Sequence, residues 1–143
     1  MDIEEIVKSL KKNKLFKNLT DDILREIAPY INCREFKKGR TIFFEGDTGR
    51  VLYLVKNGKV EVFKRNNEGE EVILASFGPG DFLGEMALIE ESTRSATCRA
   101  VEDSELLLFS HRAFLDLIEE RPKAAAKLIL EIAKVLSKRL RSS

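Results

Sequence analysis

The sequence of 143 residues contains one histidine, His111, and only two cysteines, Cys33 and Cys98. A single histidine excludes a histidine-built metal site, and with it the metal-dependent enzymes that share a jelly-roll outline. The two cysteines form no Cys-x-x-Cys pair, so we expect free thiols in a reducing compartment and a cytoplasmic protein. We therefore predict no metal and no cofactor.

Long apolar runs, a secretion signal and common catalytic motifs are also lacking. No run approaches the ~20 apolar residues that cross a bilayer, and residues 1–8 are acidic and amphipathic, unlike a signal peptide. Neither a Gly-x-Ser-x-Gly motif nor a Walker loop occurs, so we predict no catalytic residues and no enzyme activity. Because 25 Lys and Arg are balanced by 24 Asp and Glu, overall charge provides no affinity for nucleic acid.

Helices are predicted at both ends of the chain, from apolar residues at helical spacing. The predicted helices span residues 2–12, 21–29, 111–121 and 122–140. Thr20 and Ser110 are the expected N-caps of the second and third helices, and Pro122 is the expected first residue of the last. Hydrophobic residues make up 43% of the chain, and this content and length suit one domain over residues 1–143.

Between residues 31 and 110 the apolar residues alternate with a period of two, and glycines separate the short runs. The predicted strands lie around Phe36 and over residues 42–44, 51–55, 60–63, 72–74, 96–101 and 106–109. Asn57-Gly58 predicts a two-residue hairpin, and Asn66–Gly69 a longer hairpin tip. Many short strands with glycine turns indicate an antiparallel sandwich or barrel.

The stretch from Phe82 to Ala100 carries the polar residues of the predicted site. Met86–Ile89 is predicted as a short helical turn between strand ends at residues 82–85 and 95–100. Backbone N–H groups at the start of this turn and the planar guanidinium of Arg94 suit a phosphate, whereas the Glu85 carboxylate suits a sugar hydroxyl. The pattern predicts a pocket for one phosphate and one ribose. The alternative is a structural ion pair between Glu85 and Arg94.

These residues closely resemble the phosphate-binding cassette of the cyclic nucleotide-binding domains. The matching segments are Gly84-Glu85-Met86-Ala87-Leu88 and Arg94-Ser95-Ala96-Thr97. Thr93 is a departure, because many members carry proline there. The resemblance implies an α+β, mainly β fold: an antiparallel double-stranded β-helix, or jelly-roll-like β-roll of about eight strands, flanked by N-terminal and C-terminal α-helices. It implies helices over 1–30, the roll over 31–110 with the cassette at 82–97, and helices over 111–143.

The resemblance also implies the roles of individual residues. Glu85 would accept a hydrogen bond from the ribose 2′-hydroxyl, and Arg94 would pair with the cyclic phosphate, helped by Ser95 and by N–H groups near Ala87. The implied ligand-binding residues are Gly84, Glu85, Met86, Ala87, Arg94, Ser95, Ala96, Thr97, Val62, Leu74 and Ala75. The last three would contact the ribose and purine, and ordinary core packing is the alternative for them. The implied ligand is cAMP or cGMP, with cAMP favoured.

By this resemblance the chain is a regulatory sensor that signals occupancy through movement of its C-terminal helix. We expect a homodimer through that helix and an effector protein of unknown identity. No helix-turn-helix follows Leu140, so we expect no specific DNA binding by this chain and no membrane partner. The alternative is a degenerate relative that binds no nucleotide and serves as an interaction or dimerisation protein, or as part of a transcription regulator.

Overall fold

Helices occupy both ends of the chain and strands fill its middle, in a computed structural model that describes residues 1–143 without a gap. The five helices are α1 (Ile3–Lys11), α2 (Asp21–Ile27), α3 (Met86–Ile89), α4 (His111–Glu120) and α5 (Pro122–Ser142). The ten strands are β1 (Asn32–Phe36), β2 (Thr41–Phe43), β3 (Thr48–Gly49), β4 (Val51–Asn57), β5 (Val60–Arg65), β6 (Glu71–Phe77), β7 (Phe82–Leu83), β8 (Ser92–Thr93), β9 (Thr97–Ala100) and β10 (Ser104–Ser110).

The strands form two four-stranded antiparallel sheets, with the orders β1-β10-β4-β7 and β2-β9-β5-β6. A short ribbon of β3 and β8 accompanies them. This arrangement confirms the expected antiparallel roll with helices at both ends. The strand number exceeds the predicted value of about eight, because β3 and β8, which have two residues each, were not predicted. Strands that short have no hydrophobic period to recognise.

Two hydrophobic cores hold these elements together. The larger contains 21 buried residues and joins the helices to β4 and β10, for example through Leu107 and Phe109. The smaller contains eight buried residues inside the roll, among them Tyr53 and Cys98. Leu88 of α3 belongs to the larger core. The short helix of the predicted site is therefore anchored to the helical layer.

The predicted helix starts are largely confirmed. Ser110 Oγ accepts from the Ala113 N–H at 3.0 Å and caps α4, and Pro122 opens α5. Thr20 precedes α2 as predicted, but its hydroxyl makes no capping hydrogen bond. The second helix ends before the predicted Pro29, because the chain tightens there into a 3₁₀ turn.

The turn at Asn57-Gly58 does not join a hairpin, and that prediction was wrong. β4 before the turn pairs with β10 and β7, whereas β5 after it pairs with β6 and β9. The turn therefore carries the chain from one sheet to the other. The dipeptide specifies a local bend, but contacts far along the chain decide which strands pair. The hairpin at Asn66–Gly69 is confirmed, since β5 and β6 flank it and pair directly.

The last helix buries one face and leaves the other to solvent. Its residues in the larger core are Ala124, Ala125, Leu128 and Ile132. Its exposed large apolar residues are Ile129, Leu130 and Leu140. Glu131 is also buried, where its carboxylate accepts from Asn18 Nδ2 at 3.3 Å and from Lys134 Nζ at 3.0 Å. None of the five helices combines the length and the apolar character that crossing a bilayer requires.

Candidate functional site

A tight turn after β7 begins the candidate site. Gly84 has φ +82°, a conformation that glycine adopts without strain. The Ala87 N–H then donates to the Gly84 carbonyl at 3.0 Å, and the Leu88 N–H donates to the Glu85 carbonyl at 3.2 Å. Ala87 and Leu88 are buried. The turn is thus fixed by its own backbone and by its apolar side chains, and the Ala87 N–H already has an acceptor within the chain.

The chain comes back to this turn at Arg94, whose side chain lies against Gly84. Its backbone is held by the neighbouring loop, since the Arg94 N–H donates to the Asp47 carbonyl at 2.7 Å and its carbonyl accepts from the Gly46 N–H at 2.9 Å. Its side chain runs inward, where Nη2 donates to the Val51 carbonyl at 2.6 Å. The guanidinium carbon lies 4.4 Å from the centre of the Phe43 ring, within the range of a cation–π contact.

Two glycines from separate parts of the chain make room for this guanidinium. A Cβ atom added at Gly49 would lie 2.9 Å from Arg94 Nε, and one added at Gly84 would lie 2.5 Å from Arg94 Nη1. Cβ atoms do not approach other heavy atoms so closely. Both positions therefore require glycine for the observed placement of Arg94. The backbones of β3 and of the turn after β7 together form the space that the guanidinium fills.

No carboxylate pairs directly with Arg94. The guanidinium is half-buried, yet no Asp or Glu oxygen lies within 4.0 Å of its nitrogens. Burial lowers the pKa of Arg94, and the more distant charges, Asp47 and Glu85 among them, oppose that shift. An arginine remains a cation in proteins even so. A half-buried cation without an ionic partner is costly, and an anion at its free face would remove that cost.

The floor beneath Arg94 supplies no negative charge either. Burial raises the pKa of the Cys98 thiol to about 12, and Arg94 only partly opposes the shift. Burial likewise raises the pKa of Tyr53, whose ring centre lies 5.8 Å from the guanidinium carbon. Both groups are therefore uncharged at neutral pH, and the floor is a neutral, largely apolar surface.

Glu85 is buried, with 4% of its surface exposed, and it does not pair with Arg94. Its Oε1 accepts a hydrogen bond from Nη1 of Arg139, which lies near the end of α5. The structural ion pair between Glu85 and Arg94, the alternative raised from the sequence, is not formed. Instead the Glu85 carboxylate, predicted to accept from a sugar hydroxyl, is bound to the last helix.

The residues after Arg94 differ in how freely they can reach a ligand. Ser95 is exposed and its hydroxyl makes no hydrogen bond within the chain, whereas Ala96 is buried. The Thr97 hydroxyl accepts from the Glu45 N–H at 2.9 Å and so has a structural partner. Met86, at the start of α3, is half-buried. Ser95 is thus the exposed residue directly after Arg94 whose hydroxyl has no partner within the chain.

The three residues predicted to contact the ribose and purine lie together on the β5–β6 pair. Val62 pairs with Ala75, and the next pair is Phe63 with Ile73. Leu74 is therefore the extra residue of a β-bulge, and 53% of its surface is exposed. Val62 packs against the smaller core. Ordinary core packing thus describes Val62 but not Leu74, which bulges out of its strand ladder.

Sequence reasoning missed three contributors to this site. Phe43 stacks on Arg94, Gly49 leaves space for the Arg94 side chain, and Arg139 forms an ion pair with Glu85. Phe43 lies in a predicted strand and Gly49 in β3, but nothing local links either residue to an arginine more than forty positions later. Arg139 stands in a run of cations, where no pattern separates it from its neighbours.

Comparison with known proteins places this site in a family. Residues 33–121 match the cyclic nucleotide-binding domain. The chain belongs to that family. It is 40% identical over 134 residues to a protein of Thermus thermophilus named Cyclic AMP receptor protein. The match covers 94% of this chain and 60% of that protein, so the chain spans less than two thirds of this relative.

Solved structures agree with this membership. The N-terminal domain of a transcriptional regulator from Streptomyces coelicolor A3(2) superposes with a TM-score of 0.85 at 32% identity, covering 94% of each chain. A cyclic nucleotide-binding domain from Methylobacillus flagellatus superposes with a TM-score of 0.81 at 29% identity, covering 98% of this chain and 79% of that one. The β-roll with flanking helices predicted from the cassette is therefore confirmed at the level of the fold family.

Proposed function

We propose that this chain binds cAMP in the cassette and acts as a regulatory sensor. The cyclic phosphate lies against the free face of the Arg94 guanidinium and receives a further hydrogen bond from Ser95. The ribose 2′-hydroxyl donates to Glu85. The base lies over Val62, Leu74 and Ala75 on the β5–β6 pair.

The observation that carries this proposal is the unpaired, half-buried cation of Arg94. Five groups hold its side chain in one position: the Val51 carbonyl, two aromatic rings and the two close glycines. A protein keeps such a group in place for an anion that arrives from outside, because the cation is costly without one. A single phosphate, singly charged when cyclised, suits one arginine and one hydroxyl.

The preference for cAMP over cGMP draws on the name of the Thermus thermophilus relative. The exposed Leu74 and the half-buried Ala75 offer apolar contact to a purine ring but no polar group that distinguishes adenine from guanine. The Ser95 hydroxyl serves the phosphate in this proposal. A weaker affinity for cGMP is therefore expected rather than complete exclusion.

Occupancy of the cassette passes to the helices through α3. Leu88 packs in the larger core with Phe114 of α4, and His111 Nδ1 donates to the Leu88 carbonyl at 2.7 Å. The His111 N–H also donates to the Arg50 carbonyl at 2.8 Å. A ligand that draws the cassette around its phosphate would shift α3, and α4 and α5 would follow. Transmission requires that the ligand bind one helix position better than the other.

Partners are proposed from the exposed face of α5. Ile129, Leu130 and Leu140 leave apolar surface in solvent, which suits a homodimer through this helix. Replacing Leu130 with Asp is expected to give a monomer in sedimentation velocity, and a wild-type chain that is already monomeric at high concentration would contradict the dimer. We expect no specific DNA binding by this chain, and gel-shift assays at ~150 mM salt test that expectation.

Calorimetric titration of the wild-type chain tests the proposed function. We expect saturable binding of one cAMP per chain, weaker binding of cGMP, and much weaker binding of linear AMP, whose phosphate carries more charge and a different shape. Absence of binding to either cyclic nucleotide would favour the alternative of a degenerate interaction protein. Equal binding of cAMP and linear AMP would contradict a pocket built for a cyclic phosphate.

A further inference from the structure

The end of α5 is attached to the roll by one polar contact. Beyond Ile132 the helix contributes no buried apolar residue, and Val135 and Leu136 are only half-buried. The hydrogen bonds of its last turns otherwise stay within the helix, as for Ser142 Oγ to the Lys138 carbonyl. The exception is the ion pair from Arg139 to Glu85. The last two turns are therefore held to the cassette mainly by this pair.

Arg139 covers most of Glu85 while that pair is formed. The side chain of Arg139 is 56% exposed and that of Glu85 only 5% exposed, so the arginine lies on the solvent side of the carboxylate. A ribose hydroxyl must reach a carboxylate oxygen to donate to it. The guanidinium also neutralises the charge that would strengthen such a hydrogen bond.

We infer that Arg139 competes with the ribose hydroxyl for Glu85, and so makes nucleotide affinity depend on release of the α5 end. This inference rests on the proposed function, because it assigns a second occupant to the carboxylate of the same site. The nucleotide binds fully only when Arg139 leaves. The end of α5 docks fully only when the ribose is absent.

The surroundings of Arg139 favour such an exchange. The last turns of α5 also carry Lys138 and Arg141, neither of which has an acidic partner within 4.0 Å, so Arg139 gains from any nearby carboxylate. A groove of about 710 Å³ separates this helix end from residues 14–18 and gives it space to move. The Arg139 side of the ion pair is 56% exposed, so water can solvate the guanidinium when a ligand takes its place.

The test compares Arg139→Gln with Arg141→Gln by calorimetry, using cAMP and 2′-deoxy-cAMP. Arg141→Gln removes one charge from the same helix end without touching Glu85. We expect Arg139→Gln to bind cAMP about two- to fivefold more tightly than wild type, a modest gain because the guanidinium that is displaced in wild type is well solvated. Its affinity for 2′-deoxy-cAMP should match that of wild type, because that ligand has no hydroxyl to offer Glu85. Arg141→Gln should leave both affinities unchanged.

Weaker cAMP binding by Arg139→Gln would overturn the inference, since Arg139 would then assist the ligand. Equal gains for both nucleotides, or equal effects of the two variants, would also overturn it. If neither wild type nor Arg139→Gln binds cAMP, the proposed function itself fails. Binding by Arg139→Gln but not by wild type would instead support the competition in its strongest form.

Amide hydrogen exchange provides a second readout that does not depend on affinity. In wild type, saturating cAMP should speed exchange of the amides over residues 136–142, because the helix end is released. In Glu85→Gln the same amides should exchange quickly with or without cAMP. Slower exchange on adding cAMP to wild type would show that the ligand docks the helix end, and would contradict the competition.

Discussion

Two arginines five positions apart, Arg94 and Arg99, have the same local contact and opposite electrostatic surroundings. The guanidinium carbon of Arg94 lies 4.4 Å from the centre of the Phe43 ring, and that of Arg99 lies 4.3 Å from the centre of the Phe63 ring. Both side chains are half-buried against the β-roll. Stacking on an aromatic ring therefore does not distinguish them.

Their ionic partners do distinguish them. Arg99 donates from Nη1 and Nη2 to the two carboxylate oxygens of Glu71 at 2.8 Å each, and that hydrogen bonding raises the pKa of Arg99. Arg94 has no carboxylate partner, and burial lowers its pKa. The charge of Arg99 is paired within the chain, so this residue stabilises the fold. Arg94 has no such partner within the chain, which is why we propose that it binds the anionic group of the ligand.

The largest effect is expected from Arg94→Ala, which should weaken cAMP binding by about 2–5 kcal/mol. The variant loses a charge-assisted contact to the phosphate while the cassette backbone remains. Arg94→Lys should also bind poorly, because an ammonium lacks the planar fork. Calorimetry measures both affinities, and circular dichroism confirms that the variants fold.

Arg99→Ala is the matched control for this substitution. It removes an arginine stacked on a phenylalanine of the same sheet but already paired with Glu71, so its cAMP affinity should stay near that of wild type. Unchanged affinity in Arg94→Ala, or an equal loss in both variants, would end the distinction between the two residues.

Glu85→Gln should discriminate between ribose and deoxyribose ligands. Loss of the charged acceptor weakens cAMP binding by about 1.5–3 kcal/mol, the value of a hydrogen bond to a charged group. Binding of 2′-deoxy-cAMP should change much less, because it makes no such bond. Equal losses for the two ligands, measured by calorimetry, would show that Glu85 does not contact the ribose.

Gly84→Ala tests whether the space left by Gly84 positions the Arg94 guanidinium. Gly84 and Gly69 have nearly the same positive φ, +82° and +81°, but a Cβ at Gly69 meets nothing within 4 Å. Both alanine variants should lose about 1–2 kcal/mol of unfolding free energy from backbone strain. Only Gly84→Ala should also weaken cAMP binding, by roughly tenfold, since its Cβ displaces the guanidinium. Similar affinities in the two variants would refute this role of Gly84.

The smallest effect concerns the pH dependence of the Arg99–Glu71 pair. Hydrogen bonding to Arg99 lowers the pKa of Glu71 below its ordinary value. A lowered pKa in the folded state gives stability that is present above the unfolded pKa of about 4.3 and is lost as the pH falls through the folded pKa. The urea midpoints of wild type and Arg99→Ala should therefore differ at pH 7 and draw together as the pH falls below about 4.3. A difference that does not shrink as the pH falls would mean that stacking on Phe63 dominates.

Local patterns predicted much of the fold. The short helix Met86–Ile89, the Ser110 cap and the start of α5 at Pro122 were all predicted from neighbouring residues, and the structure has them at those positions. The cassette could be identified because its polar residues are close in sequence. The roles of its residues as ligand contacts remain predictions.

Contacts between distant residues could not be predicted in this way. The Asn57-Gly58 turn has the dipeptide of a hairpin, yet it joins two sheets because β10 pairs with the strand before it. Glu131 is a charged residue of the last helix, which indicates a surface position, yet it is buried and accepts a hydrogen bond from Asn18. Arg139 meets Glu85 across 54 positions. A single sequence contains no signal that selects one lysine or arginine of α5 for such a contact.

The central claim is that Arg94, and not Arg99, receives the charge of the ligand, and NMR of the arginine side chains tests it most directly. The Nε–H resonances of the two residues are assigned with the Arg94→Lys and Arg99→Lys variants, and each is followed while cAMP is added to the wild-type chain. We expect the Arg94 resonance to shift and to saturate at one equivalent, while the Arg99 resonance stays in place. A stationary Arg94 resonance at saturating cAMP, or a shift of Arg99 alone, would contradict the account.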